Sequence, residues 1–289
     1  MTRKIGQAAA LALWLSVTWT TPCYAESAGA EANGIDTLLQ QIDAATSAGR
    51  YVQAEAMLVQ LERDSSVRTT GKVALSRAEF YMARGDVANA AAALNQIGEY
   101  NKDGEGVCRY SRLSGWIAGR SAEWNTAILQ LATAIETCGD DAPLWNLFGL
   151  ALMGKGEYSA SLEAFESALI FQPDHPGLLN NRALALASAG QYESAMADLN
   201  RAAATAPDNA SIRDNADYLS GVLGVAPVRR KVDNDGVWAA RLARAGTGAR
   251  DAHRSGNATA YFANAALLSD RFDAQIWAQG SASQNRKVD

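Results

Sequence analysis

Histidine is nearly missing from this chain of 289 residues: His175 and His253 are the only two, and they lie far apart. That scarcity argues against a histidine-built metal site, so no metal is predicted. Proline is scarce as well, with 6 residues, and there are no runs rich in Val, Ile and Thr, which argues against a sheet protein. Positive charge is in deficit, with 26 Lys and Arg against 31 Asp and Glu, a formal net charge of -5 and a pI near 5.2. Phosphate binding needs a basic face, so nucleic acid is not an expected partner. The chain holds no GxSxG, no HExxH and no P-loop, and no cysteine has a histidine near it in sequence. These gaps predict a protein that is not an enzyme and carries no cofactor.

What the chain does have is alanine and repetition. Hydrophobic residues make up 48% of it but aromatics only 8%, the balance of an alanine-rich helical chain. Between Cys108 and Asn209 the same pattern recurs every 34 residues. Trp116, Leu150, Leu184 and Tyr218 form one column; Trp124, Tyr158 and Tyr192 a second; Ala134, Ala168 and Ala202 a third. Gly156, Gly190 and Gly224 keep the same step, and Pro173 and Pro207 close their units. Small, aromatic and proline positions in fixed phase at this period mark a helix–turn–helix array. The cleanest copy runs from Asp141 to Pro173.

This copy resembles the tetratricopeptide repeat family at Trp145, Gly149, Leu152, Gly156, Tyr158, Phe165, Ala168 and Pro173, with Ser161 where the family usually has alanine. The resemblance implies an all-α right-handed superhelical solenoid that binds other proteins. The predicted organisation follows from it. Residues 35–107 form two degenerate repeats, 108–209 three well-matched ones and 210–227 a half repeat. A linker occupies 228–236, a degenerate helical pair with its turn at Gly256-Asn257 acts as a cap over 237–279, and 280–289 is a disordered tail. The run from Tyr100 to Gly106 is expected as extra loop. Arg229-Arg230-Lys231 reads either as a contact for an acidic partner or as a solvated loop balanced by Asp233 and Asp235.

Ahead of the repeats, residues 1–25 read as an export signal. Arg3 and Lys4 are its positive start, Ile5 to Val17 its apolar segment, and the cleavage site follows Ala25. Residues 26–34 are then a flexible leader. A periplasmic location is predicted, with membrane association only if the segment stays as an anchor or Cys23 is acylated. After cleavage two cysteines remain, Cys108 and Cys138. In the repeat frame they lie at adjacent ends of two antiparallel helices, where a disulfide would contribute roughly 3–4 kcal/mol. The other reading is two core thiols.

In the resembling family the first helices of successive repeats line a concave surface. Its polar column here is Arg112, Asn146, Asn180 and Asp214, and its apolar column is Trp116, Leu150, Leu184 and Tyr218, with Arg109 and Arg120 extending one end. Side chains four apart share a helix face, so a polar residue lies beside an apolar one. The charge order, basic at Arg109 and acidic at Asp214, would orient a bound peptide or protein segment. The bland alternative places Leu150 and Leu184 in the interhelix core. The function expected is an exported scaffold for protein–protein contacts in cell-envelope assembly, loosely similar to the repeat protein of the tight-adherence (Flp) pilus. The alternatives are a pilotin or secretin chaperone, or an adaptor for a cell-wall enzyme.

Overall fold

The computed structural model describes residues 34–63, 71–97, 104–139 and 141–268. Among them are thirteen helices and no strand. The expected signal and the tail lie outside the described residues, as does nearly all of the leader. The described residues fall into two compact units that divide between Gln172 and Pro173.

The first unit holds α1 (Gly34–Ser47), α2 (Tyr51–Glu62), α3 (Gly71–Ala83), α4 (Val87–Leu94), α5 (Gly104–Arg120), α6 (Trp124–Cys138), α7 (Ala142–Lys155) and α8 (Tyr158–Phe171). Each helix packs on the next, and each odd-numbered helix also packs on the odd-numbered helix after it. That is the stacking of helix hairpins, in which no hairpin covers its own apolar stripe alone. The hairpin α7–α8 shows how the letters do it. Gly149 on α7 leaves room for the ring of Phe165 on α8; an added Cβ would lie 2.7 Å from it. Ser161 Oγ donates to the Gly149 carbonyl at 2.8 Å. Phe165 is fully buried, worth about 2–3 kcal/mol. One repeat earlier, Gly115 meets Leu131 in the same way.

The second unit holds α9 (Pro176–Ser188), α10 (Tyr192–Thr205), α11 (Ala210–Leu223), α12 (Asp235–Asp251) and α13 (Ser255–Leu268). The ends follow local rules. Asn209 caps α11 by accepting from the Ile212 amide at 3.2 Å. Proline follows α8 and α10 within two residues, at Pro173 and Pro207.

Three local expectations change. Helix α5 begins at Gly104, inside the run expected as loop. The last hairpin does not turn at Gly256-Asn257, which lie within α13. The turn is at His253, whose φ of 59° takes the left-handed seat, and the Arg254 amide closes it on the Ala249 carbonyl at 2.7 Å. Histidine tolerates that seat better than branched residues do. The expected linker is held rather than loose. Its residues before α12 form a non-helical strap pinned by buried charges described below.

Candidate functional site

The residues expected to face a partner fall in both units, and half of them are buried. On α5, Arg112 and Trp116 are buried, as are Asn146 and Leu150 on α7. Leu150 is fully enclosed, so it belongs to the interhelix core and is not available to a partner. Arg112 donates through Nη2 to both carboxylate oxygens of Asp141, at 3.1 and 2.8 Å. The same Asp141 caps α7, accepting from the Leu144 amide at 2.7 Å. Arg109 is spent on acids of the two preceding first helices, donating to Glu79 at 2.7 and 3.2 Å and to Asp43 at 3.1 Å. Arg120, half-buried in the last turn of α5, suits the negative end of the helix dipole. The basic end of the expected charge order is therefore neutralised inside its own unit.

In the second unit Asn180 is buried, accepting from Asn215 Nδ2 at 2.8 Å and donating to Asn181 Oδ1 at 3.4 Å. Leu184 is half-buried and keeps part of its surface. Asp214 pairs with Arg244 at 3.0 Å. Burial pushes its carboxyl up, Arg244 pulls it back and Asp217 adds to the rise. Tyr218 places its hydroxyl 3.2 Å from Asp251 Oδ2; burial first, then the Asp251 charge, holds its phenol well above the usual range. Of the ten expected residues, Leu184, Asp214 and Tyr218 make a half-exposed polar and apolar face on α9 and α11.

Cys108 and Cys138 are joined by a disulfide that spans α5 and α6, with Cα atoms 5.0 Å apart. Among the described residues no group of three or more His, Cys, Asp or Glu could hold a metal ion, and no helix is long and apolar enough to cross a membrane.

The structure also brings together charges that sequence reasoning did not. Arg241 on α12 donates through Nε and Nη2 to Asp217 on α11, both at 2.8 Å. Its Nη1 reaches Asp233 of the strap at 2.6 Å and the Val228 carbonyl at 2.9 Å. Asp233 also accepts from the Arg230 amide at 2.9 Å and from Arg230 Nε at 3.2 Å. All three network acids and bases, Asp217, Asp233 and Arg241, are buried. The signal was present in the 34-residue column Gly115, Gly149, Ala183, Asp217: a carboxylate in a line of small residues. One more fork follows the same logic of pairing, Arg182 with the buried Asp198 at 2.6 and 2.7 Å.

The stacked hairpins and their shared small-residue contacts define a helical-repeat protein of the interaction-scaffold class. Residues 147–217 match the model of the tetratricopeptide repeat family. A solved structure agrees on the fold: the Cut9–Hcn1 hetero-tetramer of the APC/C aligns with a TM-score of 0.52 at 15% identity, over 89% of this chain and 43% of that one. Pseudomonas aeruginosa PilF aligns with a TM-score of 0.49 at 14% identity, over 86% and 96% of the two chains. YrrB, described as a TPR protein with an unusual peptide-binding site, gives 0.46 at 18%, over 61% and 88%. A comparison with curated proteins finds no match.

Proposed function

We propose that this chain is an exported, non-enzymatic scaffold that holds segments of other proteins during cell-envelope assembly. The supporting observation is the Cys108–Cys138 bond inside a repeat hairpin. Such bonds persist in oxidising compartments and are rare in the cytosol, in keeping with the N-terminal segment read as an export signal. The partner-facing surface is the half-exposed face of α9 and α11 around Leu184, Asp214 and Tyr218. Asp214 and Tyr218 present a polar edge beside the apolar Leu184, a mixture suited to a peptide with both backbone and apolar contacts. Within envelope systems, the tight-adherence pilus is the reading that the repeats and half repeat suggest.

Photo-crosslinking tests this. With benzoyl-phenylalanine in place of Leu184, the envelope fraction should yield one discrete protein adduct. The same probe at Glu163, exposed on α8, should not yield it. Identical adducts at both positions, or none at Leu184, would remove the surface. A pilus secretin or prepilin in the adduct would select the pilus reading.

A further inference from the structure

We propose that the Cys108–Cys138 bond is a redox latch on the α6–α7 turn, and that its reduction by a dithiol makes Arg112 available to an acidic segment. The binding half of this rests on the partner-binding reading above; the latch itself does not.

The geometry places two ties side by side between α5 and one turn. Cys138 is the last residue of α6 and is bonded to Cys108 of α5. One helical turn after Cys108 is Arg112; three residues after Cys138 is Asp141, which Arg112 holds at 2.8 Å. Covalent bond and ion pair thus fix the same piece of chain, and Asp141 is also the cap of α7. Toward its end α6 buries little side chain. Its buried residues are Ala127, Leu131 and Ala134, whereas Glu136 and Thr137 are exposed and Cys138 is half-buried. The helix then stops at Gly139, with φ 74° and ψ 168°, a residue that restrains the chain least. An end with few buried contacts opens locally at low cost unless something else ties it.

Exchange would run by the ordinary thiolate route. A thiolate of the dithiol attacks Sγ of Cys138, whose neighbours are exposed; the S–S bond breaks and Cys108 leaves as a thiolate that takes a proton. The donor's second thiolate then attacks the mixed disulfide, closing the donor's own disulfide and releasing Cys138, which is protonated. Two electrons and two protons pass from the dithiol to the two cysteines. With the bond gone the last turn of α6 frays, Asp141 loses its fixed platform, and the Arg112 guanidinium can exchange it for another carboxylate.

Hydrogen exchange on the full-length protein, with and without dithiothreitol, reads the latch. Amides of Glu136 to Leu144 should exchange on the order of tenfold faster after reduction, while those of α8 and α10 stay as they were. The Cys108→Ser/Cys138→Ser variant should show the same pattern without reductant. No change in that segment, or a loss of protection along the whole chain, overturns the latch. Binding of acetyl-hexaglutamate amide reads the second half. It should bind several-fold more tightly to the reduced protein and to oxidised Asp141→Asn, whose side chain still caps α7, and Arg112→Gln should abolish both gains. If Asp141→Asn gains and the reduced protein does not, the link from the bond to Arg112 is overturned and acidic binding at Arg112 stands. If neither gains, binding of an acidic segment at Arg112 falls, whatever hydrogen exchange shows of the latch.

Discussion

Helix pairs α7–α8 and α11–α12 solve one problem with opposite chemistry. In α7–α8 a glycine at residue 149 receives the ring of Phe165, and the joint is dry. Two repeats on, at the same column, α11 carries Asp217 instead of a small residue. No second helix follows α11 directly; the strap intervenes, and α12 answers Asp217 with the fork of Arg241. The helices then approach so closely that a Cβ on Gly221 would lie 1.8 Å from the Ala245 carbonyl oxygen, and one on Gly248 2.0 Å from that of Tyr218. A truncated repeat has lost the helix that would fill its socket. The chain replaces bulk with charge and brings backbone against backbone. Beyond that break the dry solution returns, since Gly246 meets Phe262 as Gly149 meets Phe165.

The largest effect should come from removing the charge that makes the second joint work. Arg241→Met leaves Asp217 and Asp233 buried without their guanidinium and should cost about 3–5 kcal/mol in urea unfolding. The deficit should also depend on pH. Burial raises the Asp233 carboxyl, but the Arg230 amide and the Arg241 and Arg230 side chains outweigh it and hold it below its ordinary value. A carboxyl lowered in the folded state adds stability that is complete above its unfolded value and is lost as pH falls through the folded one. Wild type should therefore weaken below about pH 4, and the variant, relieved as its acids protonate, should weaken less. A deficit constant from about pH 7 to about pH 3 would mean the network is not carried by charge.

Gly221→Ala probes the same joint from the backbone side. The added methyl meets a carbonyl oxygen, not a movable side chain, so α11 and α12 must separate. The expected loss is about 2–3 kcal/mol, with the Arg241 fork lengthened. A loss below about 0.5 kcal/mol, or an unshifted crystal structure, would show that the close approach is dispensable.

These two regions also mark what the residues alone could reveal. Period and hairpins were legible, because stacked repeats must bury the same stripe each time, and Gly149 and Phe165 stood out only as signature positions. Asp217 was legible as an oddity in its column but not as a partner for Arg241, which lies 24 positions on in a stretch that keeps no period. Part of the expected face is covered for a related reason. Spacing tells which residues share a side of a helix, not whether the neighbouring helix covers that side, and Trp116 and Leu150 are covered. The pairing of Asp43 and Glu79 leaves no signal in their own stretches, because their partner, Arg109, comes from a later repeat.

A smaller effect sharpens the dry joint. Gly149→Ala sets a methyl 2.7 Å from the Phe165 ring and should cost about 1–2 kcal/mol. Leucine stands at the matching place in two other hairpins, as Leu131 and Leu199, and Leu199 is matched with Ala183. Phe165→Leu should therefore cost about 1 kcal/mol alone and rescue Gly149→Ala, with a coupling of about 1 kcal/mol in a double-mutant cycle. Strictly additive losses would show that the pair does not act as one joint.

The smallest effect concerns the turns between paired helices. Gly156 and Gly190 hold φ of 90° and 82°, but the same column places Ala122 at the α5–α6 turn, with φ 60°. A Cβ in that region costs on the order of 1 kcal/mol, and glycine returns part of the gain through its freer unfolded chain. Ala122→Gly should thus stabilise the protein by about 0.5 kcal/mol, and Gly156→Ala should destabilise it by about 1 kcal/mol. Ala122 is exposed and lies in the hairpin that also carries the disulfide. The gain should therefore survive reduction by dithiothreitol, since the strain sits in the turn and not in the bond. If Ala122→Gly stabilises only the oxidised protein, the left-handed turn is being imposed by the crosslink at the far end of the hairpin, and the two ends cannot be treated as independent.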